Sequence, residues 1–275
     1  MDQLHQEISE AVRSNRRAIS ERVIERQYAV NPAYWESFGQ VGREKRLPDV
    51  EYHLAYLIES IAAADPNLFG DYLAWAKVLF KGLNLPDKAL EGNIGHLRDV
   101  LRELLDPKMR PILVELIETA LRQLIISPDA LPSFIHEDSP LFELARNYLE
   151  ALLEGKRNLA GNLILDAANT GVAVKDIYSR VFQPCQYELG RLWQMNRLSV
   201  AQEHYCTAAT QLIMSQLYPY IFATERIGRR LVATCVGSEL NEIRVRRVAD
   251  FFGKEGWDTY YLGADVPPDS VRSYV

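Results

Sequence analysis

The sequence predicts a multidomain, mostly α-helical protein whose last segment is an incomplete α/β unit. Three observations predict this fold class. Apolar residues recur at helical spacing through most of the chain, prolines and glycines divide that pattern into short helices, and a continuous β-branched run appears only after residue 228. The length of 275 residues suits two or three domains.

Residues 1–126 predict an N-terminal all-helical domain of about five to seven helices. Apolar residues lie three and four apart between Leu54 and Ile61 and again between Leu73 and Phe80. Because proline normally ends or begins a helix, we expect breaks at each internal proline. These are Pro32, Pro48, Pro66, Pro86 and Pro107. The stretch 127–139 is rich in Pro, Ser and Asp and predicts a linker.

Residues 140–226 predict a four-helix bundle. Helices are expected over 143–153, 156–169 and 174–193, and a fourth begins after Ser199. Gln202 lies three residues after Ser199, which is the capping-box pattern of a helix start. Short loops between helices of this length favour antiparallel packing.

Residues 229–275 predict the opening β-α-β unit of a doubly wound sheet. We expect a buried strand over 230–236, an amphipathic helix over 239–252 and a second strand over 257–263. Two strands and one helix cannot cover both faces of such a sheet. We therefore expect either that the chain stops inside a domain or that a partner completes the sheet.

Composition excludes several classes of protein. The net charge of −6 does not indicate a basic surface that binds nucleic acid. No apolar run reaches the ~18 residues that a membrane-spanning helix needs. The polar N-terminal stretch lacks the apolar core of a secretory signal. Three widely spaced cysteines form neither a metal pair nor a disulfide framework. These features predict a cytoplasmic protein with buried thiols.

Two motifs carry a family resemblance. The first is Trp193, then nine residues, then Glu203-His204, and the second is the strand–glycine–helix–strand unit that closes in residues 256–268. Together they resemble cobalamin-binding modules, in which a four-helix cap precedes a flavodoxin-like domain. The Trp-x9-Glu-His spacing resembles the adenosylcobalamin-dependent photoreceptors of the CarH type. The resemblance covers about residues 140–275.

The resemblance implies roles for individual residues. In the family, the residues that match Trp193 and Glu203 line the adenosyl side of the pocket, and the one that matches His204 ligates cobalt after light breaks the cobalt–carbon bond. The predicted cofactor-binding set is completed by Leu189, Val200, Asn241 and Gly263. On a helix that starts after Ser199, residues 200, 204 and 208 share a face, where the small Ala208 leaves room for a flat ligand. The alternative is a Trp in the bundle core with an exposed Glu-His pair.

The loop after the first strand departs from the family pattern. Where the family carries Asp/Glu-x-His-x-x-Gly, this sequence has Asn241 for the histidine and Arg244 for the glycine. An amide has no basic nitrogen for a metal, and arginine fills space that glycine leaves open. Cobalamin held with its own base, a different tetrapyrrole or no ligand therefore remain open.

The N-terminal domain resembles that of photocobilin-type sensors, which pair cobalamin with a bilin. Its stretch from Tyr52 to Lys77 is aromatic-rich and includes His53, Tyr72 and Trp75. Ordinary helix packing is the alternative explanation for these residues. Either Cys185 or Cys206 offers a thioether attachment for a bilin, although a buried structural role is expected for both.

These observations predict a light-responsive sensory or regulatory protein that binds adenosylcobalamin, biliverdin or both. Two alternatives remain: a corrinoid carrier for methyl transfer, and an interaction scaffold without cofactor. We do not expect this chain to catalyse a reaction itself. The expected partners are a second copy or a downstream output domain, with no nucleic acid and no membrane.

Overall fold

The computed structural model describes residues 3–37, 39–86, 88–237 and 239–274. The chain divides into two compact units, Met1–Leu131 and Pro132–Val275. Each unit has its own apolar core. The described residues are mostly helical and contain one two-stranded parallel sheet, which confirms the predicted fold class.

The first unit is helical throughout its regular structure. Its described residues form seven helices: α1 (Gln3–Ser14), α2 (Arg16–Val30), α3 (Pro32–Glu36), α4 (Gly39–Ala63), α5 (Pro66–Gly82), α6 (Ala89–Leu104) and α7 (Arg110–Ile126). Helix α5 begins as the sequence predicts, because Pro66 occupies its first turn and the Asp65 side chain accepts the backbone N–H of Asn67 at 2.9 Å.

The core of the first unit is built from the predicted apolar stripes. Leu54, Leu57 and Ile61 on α4 are fully buried, as is Leu73 on α5. Helices α6 and α7 contribute further buried residues to the same cluster. This burial confirms the helical spacing found in the sequence.

The predicted break at Pro48 is wrong, because α4 runs continuously through that proline. A proline inside a helix removes one backbone hydrogen bond and costs about 3 kcal/mol. The same helix buries Val50, Leu54 and Leu57, and each fully buried aliphatic side chain contributes roughly 1.5–3 kcal/mol. Core packing therefore offsets the local cost.

The second unit begins with a helical bundle. Its elements are α8 (Phe142–Leu153), α9 (Arg157–Asn169), α10 (Val174–Ile177), a π-helical turn (Tyr178–Phe182), α11 (Gln183–Gln194), α12 (Val200–Gln216) and α13 (Tyr218–Ile221). Helix α10, the π-helical turn and α11 follow one another without a break. We call α8 to α12 the bundle.

The π-helical turn has a local cause. The backbone N–H of Gln183 donates to the carbonyl of Tyr178, five residues back, and Pro184 follows without an N–H to donate. Wide turns of this kind accommodate a residue that cannot keep the ordinary helical ladder. The apolar spacing of the sequence predicts only an uninterrupted helix here.

The α/β part consists of β1 (Arg230–Thr234), α14 (Ile243–Lys254), β2 (Asp258–Gly263) and α15 (Pro268–Tyr274). The strands are parallel, and Arg230 pairs with Asp258. The β-α-β prediction is confirmed, but α14 begins at Ile243 rather than at 239. The preceding residues form a loop instead, in which the Glu239 carboxylate accepts the backbone N–H of Asn241 at 2.6 Å.

Helix α14 fastens the α/β part to the bundle. Ile243 is buried in the bundle core. Arg246 donates to the carbonyl of Gln211 at 2.8 Å, and the hydroxyl of Tyr178 donates to Asp250 at 2.8 Å. These contacts join the end of α12 and the π-helical turn to one face of α14.

Within the described residues, every helix is too short or too polar to cross a lipid bilayer.

Candidate functional site

Helix α12 begins with the predicted capping box. The hydroxyl of Ser199 accepts the backbone N–H of Gln202, and the side-chain oxygen of Gln202 accepts the backbone N–H of Ser199. This reciprocal pair fixes the first turn of the helix. The face that carries Val200, His204 and Ala208 is exposed, with 54% of Val200 and 75% of the His204 side chain accessible to solvent.

Glu203 and His204 form a hydrogen-bonded pair at this face. The Nδ1 atom of His204 lies 2.5 Å from Oε2 of Glu203. A carboxylate at Nδ1 favours the tautomer with its hydrogen there, which leaves the Nε2 lone pair free for a metal. Nε2 forms no hydrogen bond with any residue that the structure describes. The pair thus presents one oriented, solvent-facing metal donor.

A line of polar side chains runs inward from Glu203. Its other carboxylate oxygen lies 2.9 Å from the Thr207 hydroxyl, which lies 3.1 Å from Oε1 of Gln186. Nε2 of Gln186 donates to the Thr210 hydroxyl at 3.0 Å, and the Tyr148 hydroxyl lies 2.8 Å from that same oxygen. We call these five residues the Glu203 relay. It joins α12, α11 and α8.

The inner members of the relay were not predicted from the sequence. Glu203, Thr207 and Thr210 are spaced by four and three residues, so they share one helix face, and this spacing was a signal for their alignment. Tyr148 and Gln186 lie on other helices, and no sequence spacing links them to Glu203. Only the packing of the bundle brings them together.

Trp193 and Leu189 take different positions on α11. Trp193 is half-buried against the bundle core near the end of the helix, and its carbonyl accepts the backbone N–H of Asn196 as the chain turns toward α12. Leu189, one turn earlier, is fully buried inside the core. A pocket wall made by Trp193 and a ligand contact by Leu189 stay predictions.

The remaining predicted residues lie at the carboxyl ends of the strands. Asn241 is exposed in the loop before α14, as is Arg244 in its first turn. Gly263 ends β2 with φ +80°, a left-handed conformation that favours glycine, and a Cβ there would lie 3.5 Å from the Glu242 carboxylate. Glu242 accepts the hydroxyl hydrogen of Tyr261 at 2.9 Å. At the end of this loop, the Glu242 carboxylate is therefore held between Tyr261 and Gly263.

The structure thus places the predicted site residues in two groups. The first group lies on α11 and α12 and contains the joined pair Glu203 and His204. The second group, Asn241 and Gly263, lies at the strand ends. Helix α14 connects them, since Arg246 binds α12 at Gln211, which lies about 10 Å along the helix from His204. Joint contact of both groups with one ligand stays a prediction.

The aromatic stretch of the first unit forms a stacked cluster. The His53 imidazole is buried with Nδ1 2.8 Å from the Tyr72 hydroxyl, and the Tyr72 ring stacks on Tyr56 at 4.0 Å. Tyr56 and Trp75 remain substantially exposed. Burial, reinforced by the Arg46 charge, lowers the pKa of His53 to about 4, so this imidazole is neutral at pH 7. Bilin binding at this cluster stays a prediction.

The three cysteines are free and buried, as the sequence predicts. Burial, followed by the nearby Glu203 charge, raises the pKa of Cys206 to about 11, and burial also raises the pKa of Cys185. Protonated, enclosed thiols are poor nucleophiles for attachment of a bilin. Among the described residues, no group of three or more His, Cys, Asp or Glu side chains is placed to hold a metal ion.

Part of the second unit is similar to a known protein family. The family model for a B12 binding domain matches residues 144–218, which run from α8 into α13. Among solved structures, the chain is similar to one from the methanol:cobalamin methyltransferase complex MtaBC of Methanosarcina barkeri, at 17% identity and a TM-score of 0.33. That match covers 64% of this chain and 64% of the other. No curated protein matches the chain.

Proposed function

We propose that this chain is a cobalamin-binding sensory or regulatory protein that holds the cofactor against the exposed face of α12. One observation carries the proposal. The His204 imidazole is solvent-facing, its Nδ1 is held by Glu203, and both residues lie inside the segment that matches the B12 binding domain family. An oriented imidazole with a free nitrogen is a suitable cobalt ligand.

The residues on α11 and α12 fit the side of the cofactor that carries an organic group. A bound cobalamin would supply a cobalt centre, an organic group that cobalt carries and visible absorption. His204 would offer Nε2 to the metal, and Glu203 would hold the ring through Nδ1. Trp193 would provide an apolar wall from the end of α11, in line with the Trp-x9-Glu-His spacing.

Among the residues that the structure describes, the strand ends present no imidazole that could hold the metal. Asn241 carries an amide, and the neighbouring Glu242 is engaged by Tyr261. We therefore propose that cobalamin binds here without a protein imidazole below the ring. A response to light, the adenosyl form and transfer of the change to another domain or subunit belong to the same proposal, and the family resemblance of the motif supports them.

Visible spectroscopy tests the proposal. The full-length protein is incubated in the dark with adenosylcobalamin, freed of unbound cofactor by gel filtration and scanned before and after green illumination. We expect bound cobalamin in the dark and a lasting spectral change after light. His204→Ala should alter the illuminated spectrum, whereas His136→Ala, which removes the other exposed histidine of the second unit, should not.

Other outcomes discriminate the alternatives. Cobalamin that binds but shows no light-dependent difference between wild type and His204→Ala would favour a corrinoid carrier for methyl transfer. Absence of any bound cobalamin would refute the proposal and favour a scaffold. Red or far-red absorption after loading with biliverdin would support a bilin site in the first unit.

A further inference from the structure

The chain enters the second unit through a short segment that lies against α11. That unit begins at Pro132. Residues 133–135 follow, and they contact two neighbouring side chains of α11, those of Tyr187 and Glu188. We call residues 133–135 the strap. Neither the Trp-x9-Glu-His motif nor the segment that matches the B12 binding domain family includes it.

One buried carboxylate on α11 holds the strap. The Glu188 side chain is 7% exposed. Its Oε2 atom accepts the backbone N–H of Phe134 at 3.0 Å and lies 3.2 Å from the Ser133 hydroxyl. Burial by itself raises the pKa of Glu188, but the hydrogen bonds that the carboxylate accepts outweigh burial and lower the pKa below its usual value. The backbone of the strap is therefore bound to an ionised group by a charge-assisted hydrogen bond.

Glu188 keeps a partner on its own helix when the strap leaves. Arg191, one turn later, donates through Nη2 to Oε1 at 2.5 Å and through Nε to Oε2 at 2.9 Å. Release of the strap therefore leaves no buried charge without an opposite charge. The rings of Phe134 and Tyr187, with centroids 5.4 Å apart, are both partly exposed. Segments with few buried contacts and solvent-exposed hydrogen bonds open at the lowest free energy.

The strap acts on the end of α11. Glu188 lies five residues before Trp193. Arg191 extends the contact along the helix, because its Nη1 atom lies 3.3 Å from the sulfur of Met195, the C-cap residue. The line of contacts from the strap through Glu188 and Arg191 to Met195 thus spans the last two turns of the helix, on which Trp193 lies.

We infer that the strap is a regulatory element of the second unit. The docked strap stabilises the last two turns of α11 and keeps Trp193 in place. When the strap is released, those turns open more often and Trp193 holds cobalamin less well. The statement about cobalamin rests on the proposed function. Coupling of this kind is reciprocal, so bound cobalamin favours the docked strap.

Phe134→Pro in the full-length protein tests the first step without cofactor. Proline has neither a backbone N–H nor an aromatic ring, so the variant loses the hydrogen bond to Glu188 and the ring contact with α11, whose sequence stays unchanged. We expect the amide hydrogen of Met195, bonded to the Arg191 carbonyl at 3.0 Å, to exchange about tenfold faster, the factor that loss of one hydrogen bond to a charged group implies. The indole N–H signal of Trp193 should shift as well.

Glu137→Pro is the matched control. The His136 carbonyl accepts the backbone N–H of Ser139 at 3.0 Å, and proline is favoured at the second position of such a turn. This variant introduces a proline next to the strap and keeps the contacts of the strap with α11, so exchange at Met195 should equal that of the wild type. Ser133→Ala, which removes only a hydroxyl, should change the exchange in the same direction as the first variant but less, which excludes a folding defect as the cause.

Adenosylcobalamin tests the second step. Titration in the dark, followed by visible absorption, measures its affinity for each protein. We expect Phe134→Pro to bind at least about fivefold more weakly than the wild type, and Glu137→Pro to bind equally well. In the wild type, saturating adenosylcobalamin should slow the exchange of the Phe134 amide hydrogen.

The outcomes separate this inference from the proposed function. Unchanged Met195 exchange together with an unchanged Trp193 signal in Phe134→Pro would overturn the regulatory role of the strap. Equal cobalamin affinities of the wild type and Phe134→Pro would overturn it too. A wild-type protein that binds no cobalamin would refute the proposed function, and the exchange measurement alone would then decide whether the strap controls α11.

Discussion

The imidazole of His204 depends on its neighbours for direction. Glu203 holds Nδ1, and the Thr207 hydroxyl contacts the other oxygen of that carboxylate. A histidine that is 75% exposed would otherwise rotate freely and present either nitrogen. At the scale of one residue, the direction of the His204 imidazole is therefore a property of the Glu203 relay.

Thr207→Val removes the hydroxyl that supports Glu203 and keeps the side-chain shape. We expect a larger population of the tautomer of His204 with its hydrogen on Nε2, because the carboxylate is held less firmly. Nitrogen-15 chemical shifts of the imidazole ring measure this population. Thr170→Val, directly after the end of α9 and outside the relay, serves as the control. An identical tautomer ratio in all three proteins would contradict the role of Thr207.

His53 predicts a pH dependence of stability. Its pKa in the folded protein is about 4, below the unfolded value of 6.5, so the unfolded state takes up a proton first as pH falls. The contribution of neutral His53 to the free energy of unfolding is fully present above pH 6.5. As pH decreases toward 4, the free energy of unfolding falls by about 3 kcal/mol. His53→Asn should remove this dependence in denaturant titrations at several pH values.

The matched control for that measurement is His136→Asn. His136 is exposed in the second unit, so its replacement should leave the pH dependence of the wild type intact. A slope between pH 6.5 and 4 that is the same with and without His53 would show that the buried imidazole is not its source.

At the scale of the helices, caps and contacts between helices determine where His204 and the strand ends lie. The capping box starts α12 one residue before the exposed face that carries His204. Helix α14 then joins the far end of α12 through Arg246 and joins the π-helical turn through Asp250. The position of the strand ends relative to α12 is thus determined by one helix.

Ser199→Ala should cost the protein about 1 kcal/mol, because the backbone N–H of Gln202 in the first turn of α12 loses its partner. Denaturant titration measures the cost. Ser199→Asp keeps a capping oxygen and is expected to be close to wild type. If both variants lost equal stability, the cap would not be the cause.

The carboxyl group of Asp250, on α14, makes the stability of the protein depend on pH. Burial raises its pKa to about 6, while the Tyr178 hydrogen bond and the Arg246 charge act in the opposite direction. Since the folded value exceeds the unfolded 3.8, the wild type gains stability as pH falls through 6. At pH 8, Asp250→Asn should have a free energy of unfolding about 2–3 kcal/mol higher than that of the wild type. By pH 4 this difference should be lost.

Denaturant titration at pH 8 and pH 4 checks this, with Asp166→Asn as a control on the exposed surface of α9. A constant difference between wild type and Asp250→Asn across this range would show that the carboxyl group titrates normally.

Local signals explain which elements could be predicted from the sequence. The Ser199 capping box and the β-α-β unit rest on short-range patterns, and both are present. Continuation of α4 through Pro48, the loop at 239–242 and the inner relay residues depend on contacts with distant parts of the chain. Apolar spacing records which side chains are buried and does not record which polar atoms meet.

At the scale of the whole molecule, the two units have separate cores. Every residue of the first core precedes residue 125, and every residue of the second lies at 145 or beyond. The proposed cobalamin site belongs to the second unit. Ligand effects on stability should therefore be specific to one unit.

Leu97→Ala tests that separation. Leu97 is buried in the first core, so its truncation should destabilise that unit by about 2–5 kcal/mol. Cobalamin at a hundredfold excess over its Kd should raise only the unfolding transition of the second unit, by about 2.7 kcal/mol. Calorimetry of wild type and variant measures both effects, and a single transition that responds to either change would contradict independent units.

The π-helical turn at Tyr178–Phe182 also has a rotational consequence. An ordinary helix advances about 100° per residue, so if the same residues were wound as an ordinary helix through this turn, every later side chain of α11 would be rotated around the helix axis by roughly that angle. Gln186 would leave the relay, and Trp193 would leave its place against the core. The wide turn therefore sets the rotation of the second half of the helix relative to the first half. The first half contacts α14 through Tyr178, and side chains of the second half contact α12.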